Sequence, residues 1–350
     1  MEERKLSASK KLVFTMITLI IGATFVFAAG EILVRTFNPQ VICDPRTNYS
    51  AKYGMMWPAE KTINNELPGH WKFTYTINRH NNRGPAHAIS DSYTKKNIVI
   101  LGDSNAFGQG VNDKEEFASI MAQQLDREYN VINLSNSGWG LTQEIRRFYD
   151  FGILYKPRIV VLQFCRNDPS DNFLFKVTQI ENGQFVFKNS TNEINCLKKH
   201  LSNSIVQKSS LYNLFRAFTR RYFFHKTILE NVQKTNQVDL ERNELHIKQN
   251  FYNDLLTLFA KDLKSKGTQL IMISVNNELN EHPLIKKKVA ELDSLQLLNY
   301  QETENWFTHS AAYSSPEGHR WGKKAHRIIG NELVNLIVNN QYSNSSFGKQ

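Results

Sequence analysis

The pattern of hydrophobic and polar positions divides the chain into an apolar N-terminal segment and a long body. Residues Leu12 to Gly30 contain no charged side chain, and about 20 apolar residues are enough for a helix to cross a bilayer. From Asn97 onward, short apolar runs alternate with stretches whose apolar residues recur at helical spacing. Such runs are typical of buried strands, and such stretches are typical of amphipathic helices.

The apolar runs predict buried strands at Ile98–Leu101, Val131–Leu134, Ile159–Phe164 and Gln269–Val275. The amphipathic stretches predict helices at Leu141–Tyr155, Leu240–Lys266, Pro283–Leu297 and Lys323–Asn339. Strands without polar interruption that alternate with helices form a parallel sheet covered on both faces. The sequence therefore predicts an α/β fold, in which helices cover both faces of a central, mostly parallel sheet.

The same pattern predicts the organisation of the chain: a cytoplasmic N-terminus (1–11), a transmembrane anchor (12–30), a juxtamembrane linker with a small N-terminal addition (31–96), the main domain (97–342) and a polar tail (343–350). Residues 169–237 are polar and punctuated by aromatic side chains. We interpret this segment as an insertion or lid between core elements.

Two interpretations of the apolar segment compete. A cleaved signal peptide has a shorter apolar core and a site with small residues, whereas Phe27 stands where such a site needs a small side chain. We therefore favour an uncleaved anchor over a cleaved signal. Basic residues are retained in the cytoplasm, and the segment is preceded by Arg4, Lys5, Lys10 and Lys11. This charge predicts a cytoplasmic N-terminus and a body in the periplasm or outside the cell.

Composition narrows the class of protein. With 41% hydrophobic and 22% charged residues, the body is typical of a globular protein. The net charge of +10 comes from scattered basic residues without a nucleic-acid-binding motif, so we expect no nucleic-acid partner. Three cysteines cannot form a disulfide framework. Cys165 ends an apolar strand and is predicted to be a buried thiol, while Cys43 and Cys196 could pair in an oxidising compartment.

Small and polar residues follow three of the predicted strands. Gly102-Asp103-Ser104 comes directly after the first strand, Ser137-Gly138 follows the second, and Asn167-Asp168 follows the third. The carboxyl ends of parallel strands meet at one edge of a sheet, where α/β proteins bind their ligands. An ordinary strand-to-helix turn explains the first group alone. The three groups together indicate a site with an exposed serine and nearby donors for an oxyanion.

In this order, the blocks resemble the SGNH (GDSL) hydrolase family, which is named after Ser, Gly, Asn and His in successive blocks. The resemblance covers the chain from about Ile98 and implies a flavodoxin-like fold of three layers. It also implies that Ser104 is the nucleophile and that the oxyanion donors are the Ser104 N–H, the Gly138 N–H and the Asn167 amide. Asp103 and Asp168 are the supporting residues of their blocks, and Cys165 replaces a family glycine. The segment Asn82-Arg83-Gly84-Pro85 looks like the lead-in of membrane-anchored members, and we expect it to pack at the sheet edge.

The fourth block departs from the family, which has Asp-x-x-His before the last helix, with His as general base and Asp to orient it. Alignment on the last helix places Glu317 at the Asp position and Arg320 at the His position, and His319 is one residue early. His319 could be the base with Glu317 as its carboxylate, or His309 or His326 could supply the base. Otherwise the base is lost, since arginine stays protonated. We favour His319.

The sequence therefore predicts a serine esterase that hydrolyses acyl esters, acetyl esters included, on an envelope glycan or lipid. The predicted mechanism needs no cofactor and no metal, and the predicted partners are this substrate and the membrane that holds the N-terminal helix. Two alternatives stay open: acyl transfer by the same site, and a ligand-binding envelope protein that has lost its base. The oligomeric state does not follow from the sequence.

Overall fold

The computed structural model of the 350-residue chain describes residues 7–40, 42–43, 48–86, 94–190, 209–215, 218–219, 237–308 and 313–345. The helices are α1 (Ala8–Phe37), α2 (Ser104–Phe107), α3 (Phe117–Gln124), α4 (Leu141–Asp150), α5 (Asp168–Phe175), α6 (210–215), α7 (Gln237–Ser265), α8 (Pro283–Ser294) and α9 (Lys323–Ser345). The strands are β1 (Ile42–Cys43), β2 (Asn48–Ser50), β3 (Gly54–Met56), β4 (Lys61–Leu67), β5 (Trp71–Ile77), β6 (Lys96–Leu101), β7 (Tyr129–Asn133), β8 (Ile159–Phe164), β9 (Thr178–Glu181), β10 (Gln184–Phe187), β11 (Gln269–Ser274) and β12 (Asn299–Glu302).

The chain divides into two compact units. One comprises Met1–Asp44, Asn65–Lys72 and Ser202–Lys234, and the other comprises Pro45–Asn64, Phe73–Leu201 and Thr235–Gln350. In the first unit, α1 has 30 residues, a mean hydropathy of 2.4 over its most apolar stretch and no buried residue. It is therefore long and apolar enough to cross a membrane, as a signal sequence also would be. The segment boundaries predicted from the sequence stay predictions.

The second unit is built on a five-stranded sheet with the order β12-β11-β8-β6-β7. Every pairing in this sheet is parallel, and β6 lies between β8 and β7 with Ile98 opposite both Ile159 and Val131. The predicted α/β fold with a mostly parallel central sheet is confirmed. Because the five strands run in one direction, their carboxyl ends lie along one edge.

Helices cover both faces of the sheet. Successive side chains of a strand point to opposite faces: Val99 and Leu101 of β6 join one core cluster with α4, α7 and α8, and Ile98 and Ile100 join the other cluster with α3 and α9. Burial of each such aliphatic side chain stabilises the fold by about 1.5–3 kcal/mol. The three-layer arrangement is confirmed.

Regular structure begins earlier in the predicted insertion than the sequence pattern indicated. Pro169 lies in the first turn of α5, where a proline leaves no intrahelical hydrogen bond unmade. After α5, β9 and β10 form an antiparallel hairpin, and Phe175 and Val177 are buried. Residues 168–190 therefore belong to the packed body. Cys165 is a buried free thiol, as predicted, whereas a Cys43–Cys196 pair lies outside the described residues.

Candidate active site

Ser104 lies where β6 ends and α2 begins. Gly102 makes this tight exit possible: its φ is +154°, and a Cβ atom there would come within 2.6 Å of Ala106 Cβ and 2.7 Å of Gln163 Oε1. A larger residue would strain the backbone and clash with the sheet. From residue 101 to residue 110, every residue except Ser104 is buried. The turn therefore presents this one side chain to solvent.

Asp103 caps α2 and holds the turn. Its Oδ1 accepts a hydrogen bond from the Asn105 N–H at 2.9 Å, and its Oδ2 lies 3.5 Å from the Ser104 hydroxyl. Burial raises the pKa of Asp103, against the lowering effect of its hydrogen bonds with Asn105 and Cys165 and of the charge of His319. The imidazole is therefore close enough to Asp103 to act on it electrostatically.

Arg83 supports the turn from outside the predicted blocks. Its side chain is 2% exposed, and its Nε pairs with Asp113 Oδ1 at 3.0 Å. The guanidinium also donates to the carbonyl oxygens of Phe107 at 3.0 Å and Val111 at 2.7 Å. The sequence predicted that this segment packs at the sheet edge. It did not indicate that the several N–H donors of one guanidinium hold the backbone of the residues that follow Ser104.

Gly138 lies on the loop after β7, beside the Ser104 turn. Its φ is +78°, a region that favours glycine, and a Cβ atom there would lie 3.3 Å from Met55 Cε. The loop is held on both sides: Trp139 Nε1 donates to the Met55 carbonyl at 2.7 Å, and the Ser137 hydroxyl donates to Gln109 Oε1 at 2.9 Å. Gly138 itself is partly exposed, so its backbone is accessible at the same edge.

Asn167 precedes α5 at the end of the third strand and is partly exposed. Its Nδ2 donates to Asp171 Oδ2 at 2.5 Å, which uses one of the two N–H groups of the amide and leaves the other for a ligand. Asp168 is fully buried, and its Oδ2 accepts from the Cys165 N–H at 2.9 Å. Burial raises the pKa of Asp168, and the neighbouring Glu144 raises it further.

Glu278 is a buried carboxylate that the sequence analysis did not single out. It accepts from the Arg166 N–H at 3.0 Å, lies 3.3 Å from Cys165 Sγ and pairs with Arg320 Nε at 3.4 Å. Arg320 is half exposed, so its guanidinium reaches inward to a buried charge. The position of Glu278 four residues after the end of β11, on the loop at the carboxyl edge of the sheet, is the signal that could have revealed it.

His319 and Glu317 lie together on the loop before α9. His319 Nδ1 is 2.8 Å from Glu317 Oε1, and the two side chains are 24% and 5% exposed. At this distance the two side chains form an ion pair when the ring is protonated. A tight turn brings them together: the Ser315 hydroxyl accepts from the His319 N–H at 3.0 Å, and the Ser315 N–H donates to the His319 carbonyl at 2.8 Å.

This loop touches the Ser104 turn. A Cβ atom on Gly110 would lie 2.6 Å from Ser315 Oγ and 3.1 Å from Glu317 Cγ, so the two segments are in van der Waals contact. In the part of the chain that the structure describes, the Ser104 hydroxyl makes no hydrogen bond with His319. Hydrogen bonds between catalytic groups are often long without substrate and shorten in the substrate complex.

His326, another candidate base, lies away from this loop. His326 is fully buried on α9, where its Nδ1 accepts from the Phe117 N–H at 3.2 Å and its ring stacks on that of Phe117 at 5.8 Å. Burial lowers the pKa of His326 to about 3. These contacts place His326 in the core between α3 and α9, as its helical position suggested. His309 lies outside the described residues.

One surface groove among the described residues lies away from the predicted site. A groove of about 720 Å³ is lined by residues of α5, β9 and α7, and none of the predicted site residues lines it. Among the described residues, no group of three or more His, Cys, Asp and Glu side chains has the arrangement of a metal site.

Comparison with solved structures finds similar chains. A protein described as lipolytic and of the G-D-S-L family from Desulfitobacterium hafniense is 10% identical, with a TM-score of 0.39 over 69% of this chain and 99% of that one. A psychrotrophic esterase from Pseudoalteromonas sp. is 13% identical (TM-score 0.38; 71% and 100% covered), and an acetylxylan esterase from Geobacillus stearothermophilus is 11% identical (TM-score 0.38; 69% and 93% covered). No protein-family model and no curated protein matches the sequence.

Proposed function

We propose that this chain is a serine esterase that α1 anchors in a membrane, with its catalytic unit on the periplasmic or outer side. One observation carries the proposal: Ser104 alone reaches solvent from its buried turn. It does so at the sheet edge that also bears Gly138 and Asn167, and the turn contacts the loop that holds His319 and Glu317.

In the proposed reaction, Ser104 Oγ attacks the carbonyl carbon of the ester while its proton passes to His319 Nε2. Glu317 lies at the opposite ring nitrogen, 2.8 Å from Nδ1, where its charge stabilises the imidazolium that forms. The tetrahedral intermediate then collapses, the bond to the alcohol oxygen breaks, and that oxygen takes the proton from His319. Water attacks the acyl-serine by the same route and releases the carboxylic acid.

The negative charge of the tetrahedral intermediate needs donors that are already in place. We assign them to the N–H groups of Ser104 and Gly138 and to the second N–H of the Asn167 amide. Each such donor is worth about 3–4 kcal/mol in the transition state. Asp103, Asp168 and Arg83 act as positioning residues, because they hold the backbone of the turns that bear these groups.

The proposed substrate is an acyl ester, acetyl esters included, on a glycan or lipid of the cell envelope. Two properties support this class. The apolar α1 would keep the catalytic unit beside a membrane. Residues 31–350 carry a net charge of +8, from 39 basic and 31 acidic side chains, and this charge attracts acidic glycans and anionic lipid headgroups.

The test uses the full chain in mild detergent, a fluorophosphonate probe and p-nitrophenyl acetate. We expect labelling and hydrolysis to be lost in S104A and hydrolysis to fall by about 10³-fold or more in H319A. The matched controls are S170A and H246A, which remove an exposed serine and an exposed histidine and should leave both signals unchanged.

Each other outcome overturns a stated part of the proposal. Labelling that needs Ser104 but survives loss of His319 would move the base to another residue. Absence of labelling in a folded wild-type chain would refute the esterase and favour a ligand-binding protein with the same fold. Transfer of the acyl group to an added sugar in preference to water would make the chain an acyltransferase.

A further inference from the structure

A feature of the first unit lies where the apolar span of α1 ends. Glu31 follows Gly30, the last residue of that span, and its carboxylate accepts three hydrogen bonds from the start of α6. The donors are the Ser209 hydroxyl at 2.8 Å, the Ser210 N–H at 2.8 Å and the Leu211 N–H at 3.0 Å. A side chain of α1 therefore caps α6, a helix nearly 180 residues further along the chain.

Packing and charge support the same contact. A Cβ atom on Gly30 would lie 3.2 Å from Leu211 Cδ2, so Leu211 packs directly on α1. Arg35, one turn further along α1, pairs with Glu31 at 2.7 Å. A carboxylate beside hydrocarbon is costly unless it is compensated, and here a helix N-terminus and a guanidinium compensate it.

The residues that follow present an apolar face. Leu211, Phe215 and Phe218 recur at the spacing of one helical face, and Phe215 and Phe218 are 66% and 70% exposed. The sequence of the same stretch carries Arg216, Arg220 and Arg221. Exposed aromatic residues on one face, accompanied by arginines, are typical of a helix that lies in a membrane interface.

The distance of this apolar face from the end of the apolar span of α1 indicates what covers the face. Phe215 is four residues beyond Leu211, which corresponds to about 6 Å along a helix. Leu211 contacts α1 at the last residue of its apolar span. With α1 across a bilayer, Phe215 would therefore lie within about 6 Å of the end of that span, a distance inside the interfacial layer of about 5–10 Å in which amphipathic helices bind.

We propose that residues 209–215 and 218–219 form a second membrane contact, in which Phe215 and Phe218 insert at the boundary between headgroups and acyl chains of a bilayer with anionic lipid. The inference rests on the proposed anchoring by α1. It assigns a role to part of the 169–237 segment: this part holds the chain on the membrane surface beside its anchor.

The test uses the full chain in lipid nanodiscs of equal parts phosphatidylcholine and phosphatidylglycerol. The photoreactive residue p-benzoylphenylalanine replaces Phe215 or Phe218, and lipid adducts are measured by mass spectrometry after illumination. Phe25, exposed within the apolar span, is the positive reference, and Ile247, exposed on α7, is the negative reference. We expect about five-fold more lipid adduct at 215 and 218 than at 247.

The hydrogen bonds that Glu31 accepts from the start of α6 allow a second measurement. E31A removes the acceptor of all three hydrogen bonds, and we expect it to reduce the adduct at 218 while the adduct at 25 is unchanged. E31Q keeps one acceptor oxygen and should reduce the adduct at 218 less. An adduct at 218 that is the same in E31A as in the wild type would overturn the role of the cap.

The references separate the two possible failures. No lipid adduct at 25 would refute the membrane anchor, whereas an adduct at 25 with none above background at 215 and 218 would refute only the second contact. Crosslinks from 215 and 218 to protein in place of lipid would also overturn the proposal, because a second copy or another protein would then cover this face.

Discussion

Replacement of His326 by glutamine separates a structural histidine from a catalytic one. The ring is fully buried, and its Nδ1 accepts the Phe117 N–H. Burial, together with the positive charges of Arg83 and His319, lowers the pKa of His326 to about 3. A glutamine oxygen can accept the same hydrogen bond and does not titrate. We therefore expect H326Q to keep its activity near pH 7 and to lose less stability in acid than the wild type.

The sign and size of the effect follow from linkage. The pKa of the histidine is 6.5 when unperturbed and about 3 in the folded chain, so between these values the unfolded state binds a proton that the folded state does not. The neutral ring of His326 therefore makes its full contribution to the free energy of unfolding above pH 6.5, and this contribution is lost as the pH falls toward 3. For one such group, the linkage relation gives a loss of about 2 kcal/mol between about pH 7 and pH 5.

Urea unfolding of the full chain in mild detergent, followed by tryptophan fluorescence, measures this loss at the two pH values. Trp321, whose ring lies 6.1 Å from that of His326, reports locally. We compare the loss in wild type with that in H326Q, so that contributions of other acidic groups cancel, and H246Q serves as an exposed control. Equal losses in wild type and H326Q would refute the buried neutral ring. A fall in esterase activity of about 10³-fold in H326Q would make His326 the base.

Three further predictions concern the support of the site. N167A should lower kcat for p-nitrophenyl acetate by about 10²- to 10³-fold with little change in KM, and an unchanged kcat would remove the amide from the oxyanion hole. G138A should lower both kcat and the thermal midpoint, because its φ of +78° disfavours a side chain and Met55 Cε lies 3.3 Å from the new atom; strain of this kind costs about 1–3 kcal/mol. R83M should destabilise the chain in urea by about 1–3 kcal/mol, since it leaves the buried carbonyl oxygens of Phe107 and Val111 without their donor, and R83K should restore part of the loss. A loss below about 1 kcal/mol in R83M would contradict this account.

The central strands could be predicted because burial on both faces leaves a strong local signal. Ile159–Phe164 was predicted from its uninterrupted apolar run and is observed with the same bounds. β12, in contrast, was missed. Asn299–Glu302 lies at the edge of the sheet with one neighbour, β11, and all four residues are only partly buried. An edge strand can therefore be polar throughout, and its sequence then has no pattern that distinguishes it from a loop.

In the candidate site too, the residues that could be predicted lie in local sequence motifs, whereas those that were missed act through contacts between residues far apart in the sequence. Ser104, Gly138 and Asn167 could be proposed because each belongs to a short block directly after a strand. Arg83 and Glu278 hold those blocks through contacts between residues that are about 25 and 110 positions apart. No local spacing encodes such contacts, because they arise only when parallel strands bring distant loops to one edge of the sheet.

The two departures from the SGNH pattern are joined by one of these distant residues. Cys165 stands where the family has glycine, Arg320 stands where alignment expects histidine, and both contact Glu278. A buried carboxylate needs compensating partners, and Arg320 supplies the charge while Arg166 supplies an N–H. Arg320 therefore has a structural role, compensation of the Glu278 charge, that does not depend on which residue is the base. The imidazole at position 319 meanwhile has a carboxylate of its own in Glu317, 2.8 Å from Nδ1, which is the pairing that a base shifted by one residue would need.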